Sequence, residues 1–454
     1  MQLRPYQNDL IDKTRRALRV HRRVLLQAPT GAGKTALSAF MLKETADRGR
    51  RAWFVVHRRE LVEQTSATLE RFGAQHGFIA AGFPPQYSKA ITVCSVQTLA
   101  RRLDRLSPPD LVVWDEAHHC AAGTWGAVNA FCPDAFHVGL TATPERLDGK
   151  GLEGMFHAII PGPSISWLID EGYLAPYRIW SHPLPDLSDV RMRGSDYDAE
   201  ALGAVMDEPH ILGDAVQHYL EICPGAQAVA FCVSVKHALN TRDAFRAAGV
   251  RSEELDGTVD AVTRKRIVSA FRRGEIQVLT SIDLFGEGFD LPELQAAILL
   301  RPTKSLGLYM QQVGRALRAS PNKPYAVILD HAGNVAQHGL PDAERKWALR
   351  GRKKRKGVAP TKICDTCFAA VPAASTECSV CGAPFQTETR EREPELKLGF
   401  LEELPIEVMR ARQKAEVAAA TDRESLERIA AQRGYRKGWV DHVLRARQAR
   451  GLAA

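Results

Sequence analysis

Short apolar runs punctuate the first three quarters of the chain, separated by longer stretches in which apolar positions return every three or four residues. The runs in the first part are 24–26, 53–56, 91–93, 111–114 and 137–140; in the second they are 228–231, 276–279, 297–300 and 325–329. Apolar runs bounded by helical patterns predict parallel strands, buried on both faces by crossover helices. One such helix is expected over 36–48, with Leu37, Phe40 and Met41 on a common face. The fold class expected is α/β, with two tandem parallel-sheet lobes over 1–175 and 176–345. Their seam falls near 172–176, and a polar, proline-containing stretch over 181–189 follows it.

Beyond residue 345 the apolar rhythm stops. The 346–360 segment carries a basic run, 350–357, with no apolar side chain, which reads as an exposed linker, either a solvated spacer or a contact to phosphate backbone. Residues 387–454 return to a helical pattern. Thr421 and Glu424 match a capping box ahead of Leu426, Ile429 and Ala430, and a second basic helix follows Gly434. This tail either packs as a small helical pair or offers an accessory contact to nucleic acid or a partner.

Composition changes this picture only modestly. At 454 residues there is material for two or three domains. The 61 Lys+Arg against 53 Asp+Glu leave a formal charge of +8, which suits a polyanionic partner. The first residues lack an apolar signal core, and no stretch approaches the roughly 20 apolar residues of a membrane span. A cytoplasmic location with no membrane partner is therefore expected. Five cysteines (Cys94, Cys120, Cys132, Cys223 and Cys232) lie singly and are expected to serve as small buried apolar residues.

Chemistry enters at residues 28–35, Ala-Pro-Thr-Gly-Ala-Gly-Lys-Thr. Phosphate binding needs backbone N–H groups converging on an anion, followed by a helix N-terminus. Gly31 and Gly33 permit that loop; Thr30 and Ala32 complete it. Lys34 would reach the β- and γ-phosphates of ATP, and the Thr35 hydroxyl would hold Mg2+. Ala28 stands where the general pattern has glycine, but the apolar run before the loop and the helix after it supply the context the motif requires. Asp115 follows a buried strand and could bind Mg2+; Glu116 beside it could orient or deprotonate the attacking water. His118 and the 141–143 segment suit relay of the nucleotide state. Far downstream, 311–318 contributes Gln311, Arg315 and Arg318. The two arginines are three apart, so a helix would present both on one face, toward the γ-phosphate.

Taken together these segments resemble the superfamily 2 helicases, with two RecA-like lobes, and the resemblance spans residues 1–345. It implies that Gln7 reads adenine with Arg4 beside it, and that 281–290 places Gly288 and Asp290 near the nucleotide. The phrases at 139–144, 300–305 and 328–334 are similar to bacterial and phage DNA-repair helicases of the RadD type. That likeness implies a DNA-dependent ATPase of repair or recombination. Single-stranded, duplex or branched DNA would be its partner, together with single-stranded-DNA-binding or repair proteins. By the same resemblance, 57–61 and 95–98 contact nucleic-acid backbone, with Arg58 and Thr98 the preferred contacts. The core motifs do not distinguish DNA from RNA. An RNA helicase, a restriction-enzyme motor subunit and a non-hydrolysing, nucleotide-gated DNA-binding scaffold remain alternatives.

The last motif lies within 361–386. Cys364, Cys367, Cys378 and Cys381 form two Cys-x2-Cys knuckles, the arrangement a structural Zn2+ site requires. Four thiolates leave no open coordination position, so a zinc ribbon that grips DNA or a partner, or a purely architectural one, is expected.

Overall fold

The computed structural model describes residues 2–57, 59–119, 122–145, 151–181, 190–193, 196–207, 209–256, 259–282, 294–321, 323–350, most of 361–385, and parts of 420–448. In the first lobe the elements are α1 (Pro5–Leu18), β1 (Arg23–Gln27), α2 (Lys34–Asp47), β2 (Ala52–Val56), α3 (Arg59–Arg71) and β3 (His76–Ile79). They continue with β4 (Ile91–Ser95), α4 (Val96–Ala100), β5 (Leu111–Trp114), α5 (Ala122–Phe131), β6 (Phe136–Thr141), β7 (Ala158–Pro161) and α6 (Ile165–Asp170). Seven strands run in the order β3-β4-β2-β5-β6-β1-β7, and every pairing is parallel. Strands β2, β4 and β5 are buried at every position, as runs covered on both faces must be. Because the strands are parallel, the segments that follow β1, β2, β4, β5 and β6 all leave the same edge of the sheet. Ligands bind along that carboxyl edge in open α/β sheets.

The second lobe comprises β8 (Tyr177–Ser181), β9 (Met192–Arg193), β10 (Asp196–Tyr197), α7 (Ala199–Met206), α8 (Pro209–Ile222), β11 (Ala228–Phe231), α9 (Val235–Ala247) and β12 (Ser252–Glu254). After these come α10 (Ala261–Arg272), β13 (Val278–Ser281), β14 (Ala296–Leu299), α11 (Leu306–Ala316), β15 (Ala326–Asp330) and α12 (Asn334–His338). Its six-stranded sheet, β12-β13-β11-β14-β15-β8, is likewise all parallel. Two RecA-like lobes result.

The apolar runs mark the inner strands well and miss the outer ones. Strand β12 reads Ser-Glu-Glu and lies at a sheet edge, so no apolar run announces it. Strand β13 begins at Val278 and ends two residues beyond the run at 276–279, because Thr280 and Ser281 are buried strand residues although polar. The post-loop helix begins at Lys34, not Ala36, and buries Leu37 and Met41 with Phe40 partly covered. Cys94, Cys132, Cys223 and Cys232 are buried as expected, whereas Cys120 lies outside the described residues.

Segments after the second lobe are tied down at two points. Leu349 packs against the first lobe's Trp53–Trp114 cluster, and its carbonyl accepts from the Leu152 amide at 2.6 Å. The cysteine-bearing hairpin, β16 (Thr361–Ile363) with β17 (Ala370–Pro372), meets edge strand β8 through an antiparallel bridge between Ala369 and Trp180. Residues 388–454 form a separate unit. There Leu426 and Ile429 are buried beside Val440, Val443 and Leu444 of α13 (Trp439–Gln448), and Arg423 pairs with Asp441 at 2.6 Å. Thr421 and Glu424 of the expected capping box lie outside the described residues.

Candidate active site and metal centre

The phosphate loop is built by two glycines in the left-handed region, Gly31 at φ 88° and Gly33 at φ 79°, with Gly33 as N-cap of α2. A side chain is disfavoured at both positions by conformation and by space. A Cβ on Gly31 would lie 2.6 Å from Leu174 Cδ2, and one on Gly33 would lie 2.4 Å from Gln7 Nε2. The amide of Gln7 is committed locally: Oε1 accepts from Arg4 N at 2.9 Å and Nε2 donates to Ala32 O at 3.0 Å. Tyr6 donates to the same carbonyl at 2.9 Å. The first helix is thereby fastened to the loop, and it is Arg4 that faces the cleft.

Lys34 and Glu116 meet at 3.1 Å, both largely buried. Glu116 sits at φ 41°, the one described non-glycine residue with positive φ. That backbone conformation is uncommon for a residue with a side chain, and such strain concentrates at functional sites. It turns the chain sharply after β5, so that Asp115 and Glu116 both line the cleft. His118 Nδ1 lies 3.3 Å from Glu116 Oε2 and 2.9 Å from Thr141 Oγ1, while that hydroxyl donates to Thr143 O at 2.9 Å. His118 and Thr141, both of which the sequence suits to relay of the nucleotide state, are thus in direct contact.

The second lobe reaches this cleft through α11. A Cβ on Gly314 would stand 2.5 Å from Thr30 Cβ, and one on Gly307 would stand 3.0 Å from Thr143 Oγ1. Positions 307 and 314 are two turns apart on one helix face, so the absence of two side chains lets α11 lie against both the 141–143 segment and the phosphate loop. Arg315 is on this helix and lines the cleft; Arg318 also lines it but by a different route. The helix ends at Ala316, whose carbonyl accepts from the buried Lys323 ammonium at 2.8 Å. Arg318 consequently leaves the helix and enters an antiparallel bridge with Leu174, where Ala175 N donates to Leu317 O at 2.8 Å. The expectation of one shared helix face is corrected on this point, and the cause is the helix terminus.

The resulting cleft, about 320 Å³, is walled by both lobes. Beyond the expected residues it includes Tyr173, whose ring lies 4.8 Å from Tyr6 and 4.9 Å from the Arg4 guanidinium carbon. It also includes Gln64, Thr68 and Arg71, a polar face of α3. The period of that face is visible in the sequence, but nothing there says what it faces. Gln311 lines the cleft as well. Gly288, Asp290 and Arg58 lie outside the described residues. Thr98 begins no strand of its own but sits in α4 at the carboxyl edge, where Ser95 Oγ donates to its hydroxyl at 2.8 Å.

Two cation sites can be weighed against the donors present. Mg2+ asks for one or two protein oxygens beside phosphate and water, and Thr35 and Asp115 on one cleft fit that demand. The ribbon cysteines are free thiols whose sulfurs lie within 4.8 Å of one another, with 3.7 Å between Cys364 and Cys381 and 3.6 Å between Cys367 and Cys378. Four sulfurs placed tetrahedrally about 2.3 Å from Zn2+ stand about 3.8 Å apart, so the cluster fits that ion.

A family model described as "Type III restriction enzyme, res subunit" matches residues 1–146, and one described as "Helicase conserved C-terminal domain" matches 212–320. The chain is 32% identical over 394 residues to a "51.5 kDa protein" of a Lactococcus phage, covering 85% of this chain and 84% of that one. It is 29% identical over 357 residues to a Saccharomyces cerevisiae protein named "Putative ATP-dependent helicase IRC3", covering 73% of this chain and only 51% of the yeast protein. To the DNA 3'-5' translocase XPB2 of Sulfurisphaera tokodaii it is 25% identical over 359 residues, 70% of this chain and 79% of that one. A solved fragment from Vibrio vulnificus, described as "a putative HsdR subunit of a type I restriction enzyme", shares the fold. Its TM-score is 0.56 at 24% identity, over 73% of this chain and 64% of the fragment. With two RecA-like lobes closing on a phosphate loop, and matching models on both lobes, the chain belongs to the superfamily 2 helicases, which hydrolyse ATP.

Proposed function

We propose that this protein is a DNA-stimulated ATPase that translocates along or unwinds DNA in repair, recombination or replication. The observation that carries the reading is the seating of α11 against the phosphate loop. It brings Arg315 and Arg318 of one lobe to the cleft that holds Lys34, Thr35, Asp115 and Glu116 of the other. Phosphoryl transfer needs positioning and charge stabilisation more than covalent chemistry. In this reading, amides at the start of α2 and the Lys34 ammonium hold the β- and γ-phosphates. Glu116 orients the attacking water and accepts its proton, and the arginines stabilise charge as it develops. Mg2+, held by Thr35 and Asp115, would neutralise phosphate charge when bound. Because the arginines come from the other lobe, turnover requires closure, and ATP state becomes linked to motion. Arg4 and Tyr173 offer the base a cationic and an aromatic wall.

DNA as the polymer is supported by the +8 charge, by the relative named a DNA translocase and by the likeness to RadD-type repair helicases. Arg58 and Thr98 would touch backbone phosphates, so binding tolerates any sequence. A motor subunit of a restriction enzyme is the second reading, favoured by the model over 1–146; it predicts DNA cleavage with Mg2+ once partner subunits are supplied. In the zinc ribbon, Cys364, Cys367, Cys378 and Cys381 would hold Zn2+ in a closed, architectural site. The deciding experiment measures steady-state ATP hydrolysis with single-stranded, duplex and forked DNA and with matched RNA. Stimulation by DNA is expected; stimulation by RNA alone, or by neither polymer, overturns the reading.

A further inference from the structure

We propose that His57 and His119 form the link through which nucleic acid on the first lobe sets the position of Glu116. This rests on the DNA-stimulated ATPase reading above and adds the residues that carry the stimulation. Three imidazoles stand in file along the carboxyl edge of the sheet. His57, just after β2, lies 4.7 Å from His119 between ring centroids, and His119 lies 4.0 Å from His118. The inner end of the file is chemical, since His118 contacts Glu116 and Thr141. Its outer end lies at the segments expected to touch DNA backbone. The His57 carbonyl accepts from Gln97 Nε2 at 3.2 Å, and Gln97 adjoins Thr98.

The turn carrying these rings can transmit a displacement. Residues 117–119 form a single 3-10 turn (Ala117–His119), closed by the His119 amide donating to Glu116 O at 2.9 Å, and Glu116 itself holds the left-handed φ. His118 is buried, whereas His119 is exposed and lies between its two neighbours, its ring tilted 43° to that of His57 and 41° to that of His118. A shift of His57 on binding backbone therefore presses on His119, and the backbone hydrogen bond passes that shift to Glu116. The shift enters at one end of a single short turn whose other end is the strained Glu116. His119 touches neither ATP nor DNA in this scheme; it is a positioning residue.

The test compares wild type with His119→Ala, His119→Phe and His57→Ala. It measures kcat without DNA, kcat with saturating single-stranded DNA, and DNA affinity by fluorescence anisotropy. The expectation for His119→Ala is a basal kcat and a DNA Kd within about twofold of wild type, with the DNA-stimulated increment reduced about three- to tenfold. His119→Phe, which keeps a ring between His57 and His118, should retain most of the stimulation. The double variant His57→Ala/His119→Ala should lose no more than His119→Ala alone, because both residues serve one link. Full stimulation in His119→Ala overturns the proposal. So does a parallel fall in basal kcat, which marks a structural role, or a weakened Kd that accounts for the loss, which marks direct DNA contact. Absence of DNA stimulation in the wild type would instead sink the functional reading on which the link depends.

Discussion

Glu116 shows how one residue concentrates several demands. It carries the left-handed φ, pairs with Lys34 at 3.1 Å and neighbours His118. Replacing it with Gln should leave fold and ATP binding intact while turnover falls by roughly 10²-fold or more, because the group proposed to orient and deprotonate water is lost. Lys34→Ala should abolish turnover through loss of phosphate binding. Wild-type rates in either variant would refute the assigned roles. Arg318→Ala should bind ATP normally yet hydrolyse it about 10³-fold more slowly, as loss of a charge-stabilising arginine requires. Fluorescent-nucleotide binding alongside kcat separates the cases, and weakened binding in Arg318→Ala would mean its role is misplaced. Lys34 and Asp115 were legible from their motifs. Tyr173 and Leu174 were not, since an aromatic and a leucine at a lobe seam carry no signature until the fold sets them against Tyr6 and Gly31.

Among elements, α11 decides whether the two lobes can cooperate. Its glycines at 307 and 314 face Thr143 and Thr30, and a methyl group at 314 would meet Thr30 Cβ at 2.5 Å. Gly314→Ala therefore predicts a tenfold or greater fall in kcat, to order of magnitude, with thermal stability near wild type, because a helix interior favours alanine over glycine. An unchanged kcat would show that the lobes need not approach this closely. Spacing alone suggested that Arg315 and Arg318 share a helix face. The buried Lys323 capping Ala316 ends the helix between them, an interaction seven residues beyond the helix end and invisible to periodicity. Inner strands were legible because burial on both faces demands apolar runs; edge strand β12 was not, because that demand is absent there.

On the scale of the molecule, the ribbon is an appendage of one lobe. A single bridge from Ala369 to Trp180 sets its two-stranded sheet against β8, the edge strand of the second lobe. Purified protein should carry one Zn2+ per chain, measurable by atomic absorption. Stripping it with a chelator should release β8's partner and lower the melting temperature by several degrees, a shift of about 1–2 kcal/mol in a protein of this size. No zinc, or no change in melting after its removal, would refute the assignment. Leu349 meanwhile packs against the first lobe after the chain has completed the second, so the two lobes are joined by more than the seam near residue 174.

The sequence by itself determined the chemistry and the layering. Phosphate loops, acidic strand ends and paired cysteines are local patterns whose physics is contained in a few neighbouring residues, and buried parallel strands follow from continuous apolar runs. Tertiary structure decided who meets whom. Arg318 reaches the phosphate loop by bridging Leu174, α11 touches two loops through its missing side chains, three histidines align, and the ribbon meets a sheet edge. Each of these depends on residues far apart in the chain being brought into van der Waals or hydrogen-bond range. No spacing rule carries that information, because it exists only once the cores have packed.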